Sequence, residues 1–276
     1  MVIKVLHIGL GPLGAAIVRQ LVARKGMQLV GVVDDDAAKV GRDAGAVCGL
    51  HRKLGVIVTD DIAKAVRTAK PDIAVLCTDA SLKNALPRFE QILKLKVPIV
   101  STSPELVYPL AAHRAIAKKI DALARRARVA VLGTGVNPGL AMDALPIALT
   151  SLSAKVESID VTRVEPAALS AEHAGLAESV AMIADAMGWK LDAIDDGVGS
   201  VKGKVRIRLR HDVDPAAEAH TTIRVHGTPS ISATLSGVHG DVAAAAATVN
   251  AIPKVLTAQP GLRTMKDMVL PSYFGG

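Results

Sequence analysis

The chain contains very few aromatic residues. Only 2% of its 276 residues are aromatic, and these are Phe89, Tyr108, Trp189, Tyr273 and Phe274. Proteins that bind single-stranded nucleic acid stack the bases on such rings. The shortage therefore argues against a nucleic-acid partner, although the formal net charge is +7. Hydrophobic residues make up 50% of the chain, so we expect a large core built mainly from Ala, Val, Leu and Ile.

Cysteines and long apolar runs are also scarce. Cys48 and Cys77 are the only cysteines, and their spacing excludes a Cys-x-x-Cys pair. Two isolated thiols are typical of reduced, small apolar residues in a cytoplasmic protein. No apolar run approaches the roughly 18 residues of a membrane span, and the N-terminus shows no signal-peptide pattern. We therefore expect a cytoplasmic protein with no membrane partner and no metal site.

A glycine motif follows the first apolar segment. The run Ile3–Ile8 predicts a strand, and Gly9, Gly11 and Gly14 then form Gly-x-Gly-x-x-Gly before an apolar helix. In a dinucleotide-binding turn, the first glycine permits the tight turn, the second lets the backbone approach a pyrophosphate, and the third permits close helix packing. Free amides at the start of the helix favour the phosphates. The predicted cofactor contacts in this turn are Gly9, Gly11, Pro12, Leu13 and Gly14.

An acidic residue stands where a dinucleotide site needs one. The second predicted strand, Gln28–Val33, ends at Asp34, which is 20 residues beyond the last glycine of the motif. A carboxylate at this distance typically meets the ribose 2′-hydroxyl, which favours NAD. Lys39 and Arg42 follow, and they leave NADP open as the cofactor, although a solvated helix face is the favoured explanation for both. The alternative is a turn whose glycines serve only the backbone.

The first half alternates strands and helices six times. This alternation predicts a doubly wound parallel (Rossmann) sheet over residues 1–135. The segment after Asp36 is predicted to form a helix that ends in glycines. Ligands bind beyond the carboxyl ends of such strands. We therefore expect cofactor contacts at three such ends and the following loop, namely Thr78, Ser101, Thr134 and Asn137.

The second half changes to strands with period-two alternation. Val201–Arg210 alternates strictly, with basic residues on one face, and 222–226 and 230–236 continue the pattern. We therefore predict an α+β domain over residues 136–240 with a mostly antiparallel sheet that has one wet face. An Ala-rich helix, Asp241–Thr257, should return residues 241–276 to the first domain. A sheet beside such a fold often pairs subunits, so we expect a homodimer.

Several longer strings resemble one protein family. GLGPLG, STSPELVYP, GTGVNPGLAMDALP and TTIRVHGTP are similar to those of the dihydrodipicolinate-reductase-like family, in the branch of 2,4-diaminopentanoate dehydrogenases and native amine dehydrogenases. The resemblance spans nearly the whole chain. It implies an NAD(P)-dependent enzyme that interconverts a small amine with an aldehyde or ketone plus ammonia.

The same resemblance implies site residues. The catalytic carboxylate of the family lies in the segment that matches Ser101–Pro109, where Glu105 is the corresponding residue. A carboxylate there can hold an ammonium group and exchange its protons; alternatively, Glu105 is a first-turn acid at a helix start. Asn137, Tyr108 and His173 are the implied substrate contacts.

The chain also departs from the family pattern. The paired-histidine motif of true dihydrodipicolinate reductases is absent, which disfavours that activity. The segments after Arg163 and between Trp189 and Val201 are short, so the substrate pocket is predicted to be more open or completed by a neighbouring subunit. Two alternatives stay open: an imine reductase with a cyclic substrate, and a protein that binds NAD(P) without turnover.

Overall fold

The first half of the chain and one strand near the C-terminus form a seven-stranded parallel sheet. The computed structural model describes residues 2–166, 175–238 and 240–275. The strand order is β13-β6-β5-β4-β1-β2-β3, and all its strand pairs are parallel. Its elements, in chain order, are β1 (Ile3–Ile8), α1 (Pro12–Val22), β2 (Met27–Val33), α2 (Ala44–Val47), β3 (Val58–Thr59), α3 (Ile62–Ala69), β4 (Ile73–Leu76), α4 (Leu82–Lys94), β5 (Ile99–Ser101), α5 (Arg114–Ala127) and β6 (Ala130–Gly133).

The remainder of the chain forms a second sheet and returns to the first. Its strands have the order β12-β11-β7-β10-β9-β8. These elements are α6 (Ala144–Leu149), β7 (Lys155–Glu165), α7 (Leu176–Ala186), β8 (Ala193–Asp195), β9 (Val198–Val201), β10 (Lys204–Val213), β11 (His220–Thr228), β12 (Ile231–Ser236), α8 (Gly240–Leu256) and β13 (Gly261–Arg263).

Helices cover both faces of the parallel sheet. Alternate residues of β1 enter two separate cores: Val5 packs with residues of α1 and α8, whereas Leu6 and Ile8 pack with residues of α3, α4 and α5. Strands buried on both faces need apolar residues at nearly every position, and β4 is fully buried along its length. The predicted doubly wound sheet is therefore confirmed.

The second sheet is mixed rather than purely antiparallel. β7 pairs with β11 in the antiparallel sense but with β10 in the parallel sense. Its inner face packs Ile159, Val161 and Ile207 against Val180 and Ile183 of α7. The strand predicted over Val201–Arg210 is divided, because Lys202 and Gly203 adopt positive φ and form a turn between β9 and β10. The mostly antiparallel sheet of the prediction is confirmed, with this parallel pair as the addition.

Two local predictions for the first sheet and its connections were wrong or incomplete. The segment after Asp36 is mainly turns, and its one short helix is α2. The reason is that Gly41 and Gly49 adopt positive φ and interrupt the helix on either side of α2. The Asp43 carboxylate caps α2 by accepting from the Gly45 amide, and it also accepts from the Leu54 and Gly55 amides of the following loop. In addition, β13 supplies a seventh strand from the last residues of the chain, which were expected to be a simple tail.

The C-terminal part returns to the first sheet as expected. α8 packs along α1, and β13 pairs with β6. Arg24 at the end of α1 donates to the Asn250 side chain at 2.6 Å and lies 4.8 Å from the Tyr273 ring centroid. Among the helices of the described residues, none is long and apolar enough to cross a membrane.

Candidate active site

The turn between β1 and α1 has the geometry of a dinucleotide cradle. Gly9 has φ of +96°, and a Cβ on it would lie 2.0 Å from the Cys77 carbonyl oxygen. A Cβ on Gly14 would lie 2.0 Å from the Gly9 carbonyl oxygen. Around Gly11, in contrast, no atom lies within 4 Å of an added Cβ. The fold itself therefore requires two of the glycines, and the third leaves open space where a pyrophosphate can approach the backbone.

The start of α1 is free to receive an anion. Gly11 is its N-cap and provides no side chain to satisfy the first amides, and Pro12 follows at the first helical position. Pro12 is exposed and Leu13 is half-buried. Unpaired amides and the partial positive charge of a helix start favour phosphate. The predicted turn residues therefore lie together, and they fit the pyrophosphate of a dinucleotide.

Asp34 lies directly beside this turn. Its carboxylate accepts hydrogen bonds from the Leu10 amide at 2.5 Å and the Asp36 amide at 2.9 Å, and Lys39 Nζ lies 3.3 Å away. Burial alone would raise the pKa of Asp34, but these hydrogen bonds and the lysine hold the pKa below its ordinary value. The carboxylate is therefore ionised at neutral pH, as an acceptor for ribose hydroxyls must be.

A cleft of about 230 Å³ opens at this point. It lies at the carboxyl ends of three neighbouring strands, β4, β1 and β2, which is where doubly wound sheets bind ligands. The residues that line it are Ile8, Gly9, Leu10, Gly11, Val33, Asp34, Asp35, Cys77, Thr78, Asp79 and Arg88. Glycines, an ionised acid and free helix amides in one cleft fit a nicotinamide dinucleotide.

The predicted contacts at the other strand ends differ in exposure. Thr78 is exposed at the end of β4, and Asn137 is half-buried before Pro138. Ser101 and Thr134 are buried, each 1% exposed. The Ser101 hydroxyl accepts from the Ser103 amide at 3.2 Å, and the Thr134 hydroxyl lies 3.5 Å from Met265 Sδ. Both hydroxyls are therefore turned into the protein.

Glu105 lies in a short 3₁₀ turn after β5. Its Oε2 accepts a hydrogen bond of 2.7 Å from the Leu82 amide, the first residue of α4, and lies 3.3 Å from His113 Nε2. The side chain is 32% exposed. The contact with Leu82 satisfies one free amide of a helix start. Glu105 is thus held on the carboxyl-end side of the parallel sheet, between the ends of β4 and β5.

The two remaining predicted substrate contacts are placed differently. Tyr108 is buried, 7% exposed, within the core beneath α1 and α8. Burial, together with the charge of Asp185 and a hydrogen bond to it, raises the pKa of Tyr108 to about 12. The phenol therefore stays protonated and engaged with Asp185. His173 lies outside the described residues.

A buried charged cluster was missed by the sequence reasoning. Arg163 and Glu165 form a close ion pair, and Glu165 Oε2 lies 2.9 Å from His211 Nε2. Arg163 also donates to the Thr221 hydroxyl at 3.1 Å and to the Val238 carbonyl at 2.9 Å. Side chains alternate between the two faces of β7, so Arg163 and Glu165 point inward like Ile159 and Val161. Two charged residues at inward positions were the sequence signal from which this cluster could have been predicted.

This cluster lies near the loop that follows β6. Val238, whose carbonyl accepts from Arg163, packs in a small apolar cluster with Val136. A Cβ on Gly175, at the start of α7, would lie 2.3 Å from Pro138 Cγ. The segment after β12 and the start of α7 therefore contact the Asn137 loop from two sides.

A second buried acid fixes the same loop. Asp143 is completely buried and accepts from the Gly139 amide at 2.8 Å, the Ala144 amide at 2.6 Å and the Ser179 hydroxyl at 2.7 Å. Burial raises the pKa of Asp143 despite these hydrogen bonds, which lower it. The carboxylate ties the loop after β6 to α7, and only the three-dimensional contact with Ser179 indicates this role.

These features define the class of the protein. A two-domain, dinucleotide-binding oxidoreductase has a doubly wound sheet, a glycine cradle with an ionised acid beside it, and a second domain against the strand ends. This protein has all of these features.

Comparisons with known proteins find similarity in both halves of the chain. Residues 3–124 match the model for the N-terminus of dihydrodipicolinate reductase, and residues 195–276 match the 2,4-diaminopentanoate dehydrogenase C-terminal domain. The 2,4-diaminopentanoate dehydrogenase of Acetoanaerobium sticklandii is 29% identical over 99% of this chain and 95% of its own length. An amine dehydrogenase of Streptomyces virginiae is 32% identical over 55% of this chain and 42% of its own length. The chain therefore matches one family model in each half and is similar over nearly its whole length to a 2,4-diaminopentanoate dehydrogenase.

Solved structures share the fold of this chain. The amine dehydrogenase from Mycobacterium smegmatis superposes with a TM-score of 0.86 at 20% identity, covering 99% of this chain and 98% of that one. GenD2 of gentamicin A biosynthesis, solved in complex with NAD, superposes with a TM-score of 0.59 at 16% identity, covering 85% of this chain and 72% of that one. An engineered D-amino acid dehydrogenase bound to NADP+ superposes with a TM-score of 0.61 at 12% identity, covering 98% of this chain and 95% of that one. The predicted class, an NAD(P)-dependent oxidoreductase related to amine dehydrogenases, is confirmed.

Proposed function

We propose that this protein is an NAD(P)-dependent amine dehydrogenase that interconverts a small amine with an aldehyde or ketone plus ammonia. The observation that carries the proposal is the position of Glu105. Its carboxylate is anchored on the Leu82 amide at the strand-end edge that also forms the cradle. Relatives named for the oxidation of amines support the same reaction class.

The predicted cofactor contacts have separate roles in this proposal. When bound, the nicotinamide dinucleotide supplies or accepts the hydride. The glycine turn (Gly9, Gly11, Pro12, Leu13 and Gly14) binds its pyrophosphate and Asp34 its ribose. Thr78 and the backbone at Ser101, Thr134 and Asn137 border the nicotinamide half.

Glu105 is the acid and base in this proposal. One of its oxygens is held by Leu82, which leaves the other to attract the substrate ammonium group and remove its proton. In the reverse direction the same carboxyl group returns protons as the carbinolamine loses water. Because the anchor is a backbone amide, the carboxylate needs no rearrangement before it acts.

The substrate is proposed to be small and to carry a polar or charged group. Support comes from the Arg163–Glu165–His211 cluster, which places charges of both signs beside the loop after β6. Asn137 and His173 are the proposed substrate contacts. Tyr108 is retained as a proposed pocket residue, although its phenol is engaged with Asp185.

The test measures NADH oxidation with a panel of aldehydes and ketones, with and without ammonia, in wild type and in Glu105→Gln. Glutamine keeps an oxygen that can accept from Leu82, so the fold is retained while the charge is lost. We expect kcat to fall at least about a hundredfold and the Kd for NADH to stay within about twofold. Glu90→Gln is the matched control, because Glu90 pairs with Lys119 on the surface.

Other outcomes decide between the alternatives. A Glu105→Gln variant that keeps most of its rate removes Glu105 from the chemistry. Turnover that does not depend on ammonia indicates an imine reductase with a cyclic substrate. NADH binding without turnover on any substrate indicates a non-catalytic NAD(P)-binding protein.

We also propose that the protein is a cytoplasmic homodimer. Residues 1–135 and 136–240 form its two domains, and residues 241–276 return to the first domain. Two free cysteines support the location. The outer face of the second sheet, which carries Asp160, Arg208 and His226, is the proposed subunit interface. Light scattering during gel filtration tests the dimer, and a monomeric mass contradicts it.

A further inference from the structure

Arg88 spans the cleft beside the glycine turn. It projects from α4, and its Nη1 lies 3.0 Å from the Asp79 carboxylate, while its Nη2 makes a close ion pair with Asp35. Asp79 follows β4 and Asp35 follows β2, and β1 lies between these two strands in the sheet. The guanidinium therefore bridges the loops on both sides of the glycine turn.

The cleft offers few other flat surfaces for a purine. None of the described residues that line it is aromatic. A guanidinium is planar and stacks on aromatic rings, which a lysine ammonium cannot do. The ion pairs with Asp35 and Asp79 hold the Arg88 side chain in place. Because the side chain is 27% exposed, it is still accessible from the cleft.

The charges of the cleft point to one form of the cofactor. Arg88 is paired with Asp35 and Asp79, and Lys39 lies within 3.4 Å of both Asp34 and Asp36. Four carboxylates thus surround two cations. A ribose 2′-phosphate adds two further negative charges and finds both cations already paired, whereas a 2′-hydroxyl can donate to Asp34.

We propose that Arg88 binds the adenosine half of the dinucleotide, with its guanidinium plane as the wall for the adenine ring, and that its pairing with Asp35 and Asp79 makes the site prefer NAD to NADP. This inference rests on the proposed dinucleotide-dependent function. It assigns a binding role to a residue of α4 that lies outside the glycine motif.

The experiment measures binding by NADH fluorescence, without any substrate. The probes are NADH, NADPH and reduced nicotinamide mononucleotide, which lacks the adenosine half. Arg88→Met should weaken NADH about tenfold and leave the mononucleotide within about twofold. Arg88→Lys, which keeps a cation but not the plane, should lose most of the same affinity. Arg67→Met on α3, where Arg67 is exposed, is the control and should match wild type.

Each contrary result has a distinct meaning. Unchanged NADH binding in Arg88→Met, or full recovery in Arg88→Lys, overturns the proposed stacking role. A larger loss for NADPH than for NADH shows that Arg88 serves a 2′-phosphate instead, which overturns the proposed preference. Wild-type protein that binds neither dinucleotide overturns the function itself. Thermal unfolding of both variants separates these results from a folding defect.

Discussion

The two sheets place polar groups in opposite ways. In the parallel sheet, inward strand positions are apolar apart from His7 and Ser101, and the polar groups of the cradle begin after the strands end. In the second sheet, the inner face of β7 changes from Ile159 and Val161 to a buried ion pair within the strand itself. The cradle thus consists of backbone groups around an open space, whereas the cluster consists of charged side chains that neutralise one another.

The physical reason lies in how negative charge is stabilised in each region. A pyrophosphate is bound by amides at a helix start and needs only room, which Gly11 provides. A buried charge, in contrast, is tolerated only with a partner and further hydrogen bonds. Glu165 has two such partners, Arg163 and His211. The cradle should therefore be sensitive to added atoms and the cluster to lost charge.

The largest effect is expected from removing one charge of the cluster. Glu165→Ala leaves Arg163 buried without its carboxylate, and we expect the free energy of unfolding to fall by about 3–5 kcal/mol. Urea denaturation measures the change. The double variant Arg163→Met/Glu165→Met should be clearly more stable than the single variant, because no buried charge is left unpaired. Equal losses in both would show that shape, not charge, holds this region.

A somewhat smaller effect is expected from one added methyl group in the cradle. Gly14→Ala places Cβ 2.0 Å from the Gly9 carbonyl oxygen, so the helix must move, at a cost of about 3 kcal/mol. Gly11→Ala is the matched variant: its Cβ meets open space, so it should unfold like wild type but bind NADH at least about tenfold more weakly. If both variants unfold alike, the division of roles among the glycines is wrong.

The third prediction concerns the one histidine buried inside the parallel sheet. His7 Nε2 lies 2.8 Å from the Gly9 carbonyl oxygen, and burial lowers the pKa of His7 to about 4, although that hydrogen bond raises it. Between about pH 6.5 and 4 the unfolded chain binds a proton that the folded chain does not. Stability should therefore fall as the pH falls through this window, by about 3 kcal/mol in total.

The variant His7→Gln isolates this contribution from that of other titrating groups. Unfolding free energies of wild type and variant are compared at several pH values between 4 and 7. The wild type should lose more stability on acidification than the variant does. Parallel pH profiles would mean that His7 titrates normally in the folded chain.

Local spacing was enough to predict the cradle. Gly9, Gly11, Gly14 and Asp34 are close in sequence, and their proposed roles follow from one strand–turn–helix–strand unit. The charged cluster was not predictable in this way, because Glu165 and His211 are 46 residues apart. The ion pair between Arg88 and Asp35 in the cleft was missed for the same reason, since these residues are 53 apart. No local rule pairs residues at such distances, although the inward parity of Arg163 and Glu165 was readable.

The sequence alone determined the class of this protein. Its strand and helix periods, its glycine turn and the acid at the end of the second strand specify a dinucleotide-binding sheet, since backbone geometry and local hydrogen bonding depend on near neighbours. Tertiary structure alone decided that β13 completes that sheet, that Glu105 rests on the start of α4 and that Arg88 crosses the cleft. Those contacts arise from the packing of distant segments, where burial and charge pairing select partners that chain order does not reveal.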